Sequence, residues 1–518
     1  MQYQDLVILL PCHSLEDFPT YHDGEDADSL LIGWTAMWHP QLIASAGKLP
    51  SWARSDTPPS DTTNHLLIVP TVSVAQLPTG FVQRSQESGA VVLRRYASRD
   101  QLVEAALRPI AGDHRPVPTE LAADFLALGY CYLQVQLLTR QMRYSSSLDE
   151  VHFRDRLVEA AQAAVAGAPE AAERLESCFQ LLAQERDRYY PVTAYLLDWT
   201  LVAPTTLDTR LSSEIEQPAA NNFQLSTATL DAICRSAPQL LTALRDRYRD
   251  GQCGVSLSEA DELRLPLLCL ESMLDQLRRS REHATECLGT APQIYGRRRF
   301  GLSAQLPQVL HKLGFRAALH ASLDQGRYPQ GSQFKTRWEG LDGTAIDMIG
   351  RVPLDASQPG TFLRLASRLG ESMDTDHVAT LWLAHWPDHA SPWYADLRRI
   401  ARYTHALGKF TTLEKYFSET DLPGQVDRFE ASQYRSPYLQ QAIIRKQSDP
   451  ISSCVRYWRR RVAMDQARAA QSLASAVTSR PLDNTIIAQQ LAVLQRIDAA
   501  TEIDDEQLDE ETTQQLQR

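Results

Sequence analysis

Apolar residues fall into two recurring patterns along this chain of 518 residues. Short, nearly continuous apolar runs bounded by polar residues read as buried strands. Longer stretches with apolar positions three and four apart read as helices. Residues 3–12 form the first expected strand, and 66–73, 90–93, 195–204, 315–320, 345–350, 377–386 and 409–412 follow. Helices are expected over 28–45, bent or broken at Pro40, and over 118–143, 151–185, 225–249, 265–289, 306–313, 359–370, 396–407, 454–478 and 484–499. Strands alternating with helices predict an α/β fold, and no fixed-period repeat points to a solenoid.

The stretch 295–346 organises the rest. A turn with Phe300, Gly301 and Ser303 runs into a helix that Gly314 stops, and an apolar strand ends at His320. A polar loop then leads to Phe334, Trp338 and the tight turn Gly340-Leu341-Asp342-Gly343. This is a loop, helix, strand, loop unit of an α/β barrel, and such barrels place chemistry on the loops that follow strands.

The same stretch resembles the catalytic domain of glycoside hydrolase family 38, the α-mannosidases, most closely their bacterial branch. Phe300, Gly301, Ser303, Leu306, Pro307 and Gln308 fit its Trp-x-Pro-Asp-x-Phe-Gly-x-Ser and Leu-Pro-Gln pattern. Phe334, Trp338, Gly340, Asp342, Gly343 and Thr344 fit a later Phe-x-Trp-x-Gly-x-Asp-Gly-Ser/Thr block. After the first strand, His13 and Ser14 match the family's His-Ser-His-Asn-Asp signature, Leu15 replaces a zinc-ligating His, and Asp17 keeps a ligand Asp. After the 377–386 strand, Asp388 matches the family's general acid/base and His389 its neighbour. The resemblance implies a seven-stranded (β/α) barrel of the glycoside hydrolase/deacetylase type over 1–424, followed by a partial helical-bundle segment over 425–500. Tyr434, Arg435, Ser436, Pro437 and Leu439 fit the entry to the family's middle domain. Residues 501–518 form an acidic tail expected to be disordered. The chain reads as either a short relative or the front part of a longer protein.

The resemblance breaks at its chemical centre. The family's nucleophile, also a zinc ligand, falls at Arg298. A guanidinium stays protonated, forms no glycosyl ester and repels a divalent cation. Asp17 is then the only retained ligand position, where a zinc site wants four. No zinc or other cofactor is expected unless a site is rebuilt, for which His22 and Asp23 are the nearby candidates. Arg298 is expected to take the zinc's place and pair with Asp17. His13, Asp17, Trp338, Asp342 and His389 are the expected substrate-binding residues, with Trp386 a second aromatic that could stack on a sugar ring. Two functions stay open. One is a carbohydrate-binding protein with a remnant cleft. The other is an active hydrolase with rewired carboxylates, Asp388 as acid and Asp17 or Glu16 as base.

Composition narrows the partners. A net charge of −12 argues against nucleic acid. No apolar run reads as a membrane span, and the N-terminus lacks the basic region of a signal peptide. The eight cysteines are scattered without a Cys-x-x-Cys pair, which predicts free thiols and a cytoplasmic setting. Carbohydrate is the expected ligand, and a protein partner or self-association through the C-terminal helices is a further expectation.

Overall fold

The computed structural model describes residues 2–110, 116–141, 146–259, 262–329, 331, 333–422, 424, 426–447, 449–481, 483–499 and 506–517. The chain divides into two compact units. Unit 1 is Met1–Leu201, Glu216–Asn221 and Pro353–Thr412, and unit 2 is Val202–Ile215, Asn222–Val352 and Leu413–Arg518. In chain order the strands are β1 (Asp5–Leu10), β2 (Ser51–Arg54), β3 (His65–Val69), β4 (Val91–Arg94), β5 (Tyr195–Leu201), β6 (Asn221–Ser226), β7 (Cys253–Ser258) and β8 (Ile294–Arg297). Then come β9 (Ala317–His320), β10 (Lys335–Glu339), β11 (Ala345–Gly350), β12 (Leu354–Asp355), β13 (Thr380–His385), β14 (Lys409–Phe410) and β15 (Val426–Arg428).

In unit 1, β1 lies in a parallel four-stranded sheet of order β2-β1-β3-β4. Leu6 to Leu10 are all buried, as a central strand covered on both faces requires. The flanking β2 and β4 contain no fully buried residue, and the sheet ends at them. This corrects the expected seven-stranded barrel: its first strand pairs with β2 and β3 in a separate sheet. In the other sheet of unit 1, β13 runs parallel to β5, from Thr380 opposite Tyr195 to His385 opposite Thr200, with β12 on β13 and β14 on β5. The helix Thr119–Gln141 is long and apolar enough to cross a membrane, contrary to the sequence reading, and 83% of its most apolar window is buried. It belongs to the unit 1 core with Trp34, Trp38, Leu133, Phe153 and Phe179.

In unit 2 the strand order is β6-β7-β8-β9-β11-β10-β15. Strands β7, β8, β9 and β11 run parallel, and β10 is antiparallel to β11 across the turn that contains Asp342. Strands β6 (NNFQLS) and β7 (CGVSLS) are buried at every position although half their residues are polar. Their side chains satisfy one another: the Gln224 amide donates to Gly296 O at 2.8 Å and Ser256 Oγ donates to Gln224 Oε1 at 2.6 Å. Gly296 permits this, since a Cβ there would lie 2.3 Å from Gln224 Oε1. Neither strand carries the apolar run that marked the others, so the expected helix 225–249 swallowed the end of β6. Ser226 instead ends the strand and caps the next helix, accepting from Thr229 N at 3.1 Å.

The segment expected as a separate middle domain belongs to unit 2. Tyr457 and Met464 of the helix Pro450–Thr478, and Leu494 and Ile497 of Asn484–Ala499, lie in the same core as Phe223, Val255 and Tyr295. Residues 506–517 of the acidic tail are helical rather than disordered, and Leu508 is buried in that core. Residues 500–505 and 518 lie outside the described residues.

Candidate functional site

The ends of β7 and β8 bring charge into the interior of unit 2. Three consecutive arginines leave β8 with three different fates. Arg297 is fully buried and ion-paired with Glu259, itself fully buried just after β7. Tyr295 donates its hydroxyl to the other oxygen of Glu259 at 2.9 Å. Burial draws the Arg297 guanidinium down to about 10, which leaves it charged at neutral pH. The same guanidinium donates to Leu263 O at 2.7 Å and Phe300 O at 3.2 Å. Gly301 makes room for it, because a Cβ there would lie 2.3 Å from Arg297 Nε. The glycine of the Phe-Gly-x-Ser turn is thus the seat of a buried arginine.

Arg298 is partly exposed and pairs with Glu262 at 3.2 Å. Both oxygens of Glu262 are engaged by the turn, Oε1 by the Arg298 backbone N–H and Oε2 by that of Arg299, each at 3.0 Å. Arg299 is exposed. Phe300 N donates to Asp324 Oδ1 at 2.9 Å. Glu262, Ser322 and Gln325, all on loops after parallel strands, have φ of 49°, 45° and 66°. Left-handed backbone at non-glycine residues is strained, and such strain collects where loops are shaped for a purpose. His320, at the end of β9, is fully buried with neither ring nitrogen hydrogen-bonded, and burial beside Arg297 keeps it neutral.

Unit 1 holds a second buried charge cluster at the ends of β5 and β13. His385 Nε2 lies 3.0 Å from Asp198 Oδ1, and Arg398 donates to Asp198 Oδ2 at 2.6 Å. Thr200 Oγ1 lies 3.3 Å from His385 Nε2, and His385 Nδ1 lies 3.1 Å from Trp386 O. Burial works to raise the Asp198 carboxyl, but Arg398 and His385 outweigh it and hold it down to about 2. The cluster fixes the root of the loop that carries Trp386, Asp388 and His389. Asp388 is exposed and left-handed, with φ 61°. It does not cap the next helix, Pro392–Ile400, whose cap is Ser391.

The structure sorts the expected residues by unit. His13, Asp17, Asp388 and His389 lie in unit 1, all exposed on loops after β1 and β13. Arg298, Trp338 and Asp342 lie in unit 2. Arg298 meets Glu262, while Asp17, its expected partner, lies in unit 1. Trp338 is corrected from a sugar platform to a core residue: it is fully buried and its indole N–H donates to Tyr434 Oη at 2.8 Å. Asp342 accepts from Thr344 N and Oγ1 at 3.1 and 2.7 Å and so holds its own turn. No motif in the sequence marks Glu259, Glu262, Asp198, His385 or Arg398. Asp198 inside the apolar run 195–204 and His385 inside 377–386 are the local signals for the unit 1 cluster.

The residues that the resemblance matches to a zinc site do not have the chemistry to hold the metal. Arg298 carries a guanidinium paired with Glu262, and Leu15 is buried and apolar. Asp23, a candidate for a rebuilt site, is paired with Arg364 at 2.6 Å. Among the described residues no three His, Cys, Asp or Glu side chains converge as a metal would need.

No family model and no curated protein matches this chain. Among solved structures it is similar to 4-alpha-glucanotransferase from Thermococcus litoralis, with 16% identity, 47% of this chain and 43% of that one covered, and TM-score 0.36. It is similar to an alpha-mannosidase from Enterococcus faecalis, with 13% identity, 62% and 40% covered, and TM-score 0.41. It is also similar to the alpha-amylase AmyC from Thermotoga maritima, with 10% identity, 100% and 92% covered, and TM-score 0.34. The match spans 43% and 40% of the length of the first two.

Proposed function

We propose that this chain is a family 38-like carbohydrate-processing protein that binds carbohydrate without the zinc-dependent retaining mechanism. The observation that carries the reading is the Arg298–Glu262 pair at 3.2 Å. Retaining hydrolysis needs two carboxyl groups about 5–5.5 Å apart, one of them a nucleophile. At the nucleophile's matched position stands a permanent cation, and the adjacent Glu262 carboxylate is committed to two backbone N–H groups and to that cation. A carboxylate so engaged is a poor nucleophile. The Trp386 to His389 loop is the ligand-facing element: it is exposed, anchored at its root by Asp198 and Arg398, and offers an indole, a carboxylate and an imidazole to sugar hydroxyls.

The second reading is an active hydrolase with rewired carboxylates. It is favoured by the solvent-facing position of Asp388. A panel of aryl-glycosides and a glycan array, each with and without added zinc, separates the two. Binding without release of the aryl group supports the remnant cleft. Zinc-independent hydrolysis that Asp388→Asn abolishes supports the second reading and defeats the first.

A further inference from the structure

Two cysteines of unit 2 stand apart from the rest. Cys234, near the end of the helix Thr227–Ser236, and Cys287, near the end of Leu270–Leu288, place their sulfurs 3.2 Å apart although they are 53 positions apart in sequence. Cys287 is buried, as are Cys12, Cys131, Cys178 and Cys253, but its sulfur has a second thiol beside it. A disulfide needs its sulfurs about 2.05 Å apart, about 1 Å closer than this pair. Cys234 is half-buried and Cys287 is 7% exposed. His283, one turn before Cys287, places Nε2 3.5 Å from Cys287 Sγ and 2.9 Å from Asp231 Oδ1. Since Nε2 faces both groups, an imidazole that donates it to Asp231 has no lone pair toward Cys287, and the close thiol pair itself supplies the parts for thiol–disulfide exchange.

We propose that Cys234 and Cys287 are a reversible redox pair, oxidised by a low-molecular-weight disulfide to a bond that staples the two helices together. The Cys234 thiolate attacks the small disulfide, forms a mixed disulfide and releases one small thiolate. Cys287 then loses its proton to water and its sulfur attacks the Cys234 sulfur, expelling the second small thiolate; the two small thiolates take up the two protons that Cys234 and Cys287 gave to water. Two protein thiols and one small disulfide become one protein disulfide and two small thiols, with both electrons passing to the oxidant. The order follows from exposure: Cys234 is the more exposed of the two, and burial pushes the Cys287 thiol up to about 12, so it acts second. The closed ring contains β7, Glu259 and Glu262, so the bond constrains the segment that supplies the partners of Arg297 and Arg298.

The test uses the full chain, incubated with oxidised glutathione or with dithiothreitol, then alkylated and mapped by peptide mass. Of the eight cysteines, six should alkylate in the oxidised sample, and a cross-linked peptide joining 234 to 287 should appear, two hydrogens lighter than its parts. The oxidised protein should melt a few degrees higher, and dithiothreitol should reverse both effects. Cys234→Ser and Cys287→Ser should each abolish the cross-link and the shift. Eight alkylated thiols, or a different pairing, would overturn the proposal. So would protection of both thiols that a chelator removes and a reductant does not, since that outcome assigns the pair to a metal.

Discussion

Arg297 and Glu259 face each other with neither side chain reached by solvent. Each charge replaces the water the other has lost, and Tyr295 completes the carboxylate. Glu259→Gln keeps the shape and removes the counter-charge. A buried charge stripped of its partner costs about 3–5 kcal/mol. Urea unfolding should show a loss of that order for Glu259→Gln and a smaller loss for the double change Glu259→Gln with Arg297→Met. An unchanged unfolding midpoint in the single variant would mean that the pair does not form.

Asp198 sets the acid limit of unit 1. Its carboxyl sits at about 2 when folded and near 3.9 when unfolded, so its contribution is complete above pH 4 and fades as the pH falls toward 2. The size is about 2–3 kcal/mol. Asp198→Asn should therefore be less stable than the parent at pH 7, with the gap closing on acidification. Circular dichroism across pH 2–7 reads the difference. Parallel acid limbs in the two proteins would disprove the coupling.

Glu414 works in the opposite sense. Burial pushes its carboxyl up to about 7, against the hydrogen bond it accepts from Val255 N at 3.2 Å. A raised carboxyl favours the fold below its unfolded value near 4.3 and loses that advantage as pH climbs through 7. Glu414→Gln should thus melt higher than the parent at pH 8 and nearly alike at pH 4.5, by calorimetry. A variant less stable than the parent at pH 8 would contradict this sign.

On the proposed function, an acid placed where the resemblance puts a nucleophile should not create an enzyme. Arg298→Asp sets a second carboxylate against Glu262. The expected result is lower stability, no stoichiometric zinc by elemental analysis and no release from aryl-mannosides. Hydrolysis that tracks bound zinc would show that the site tolerates the metal after all.

Trp386 should contribute to carbohydrate affinity. Its indole is 36% exposed on the anchored loop. Trp386→Ala should weaken binding on a glycan array about two- to tenfold, the range that an aromatic contact of about 0.5–1.5 kcal/mol supplies. Trp338→Ala should instead unfold unit 2 rather than act on affinity alone.

The apolar elements were legible in the sequence. Ala345–Gly350 and Asn484–Ala499 fall where the pattern puts them, because their burial is written in apolar side chains. The strands β6 and β7 were not legible, because their burial is met by side-chain amides and hydroxyls that bond across the sheet. The Arg297–Arg299 run was equally opaque. Consecutive side chains diverge as the chain leaves a strand, so one enters the core, one meets Glu262 and one reaches solvent. Motif spacing pointed to Arg298, but nothing local to it announced Glu259 or Glu262 some 36 positions earlier.

Unit 1 is assembled from pieces that leave the ribosome far apart in time. Strand β5 is complete at Leu201, and the neighbour β13 arrives only roughly 180 residues later. At about 5–20 residues per second, that edge of β5 stands open for roughly 9–36 s in every nascent chain. The exposure of β5 to foreign strands during synthesis is therefore set by translation speed, and slowing the ribosome across this interval would raise aggregation of a protein whose finished form is unaltered.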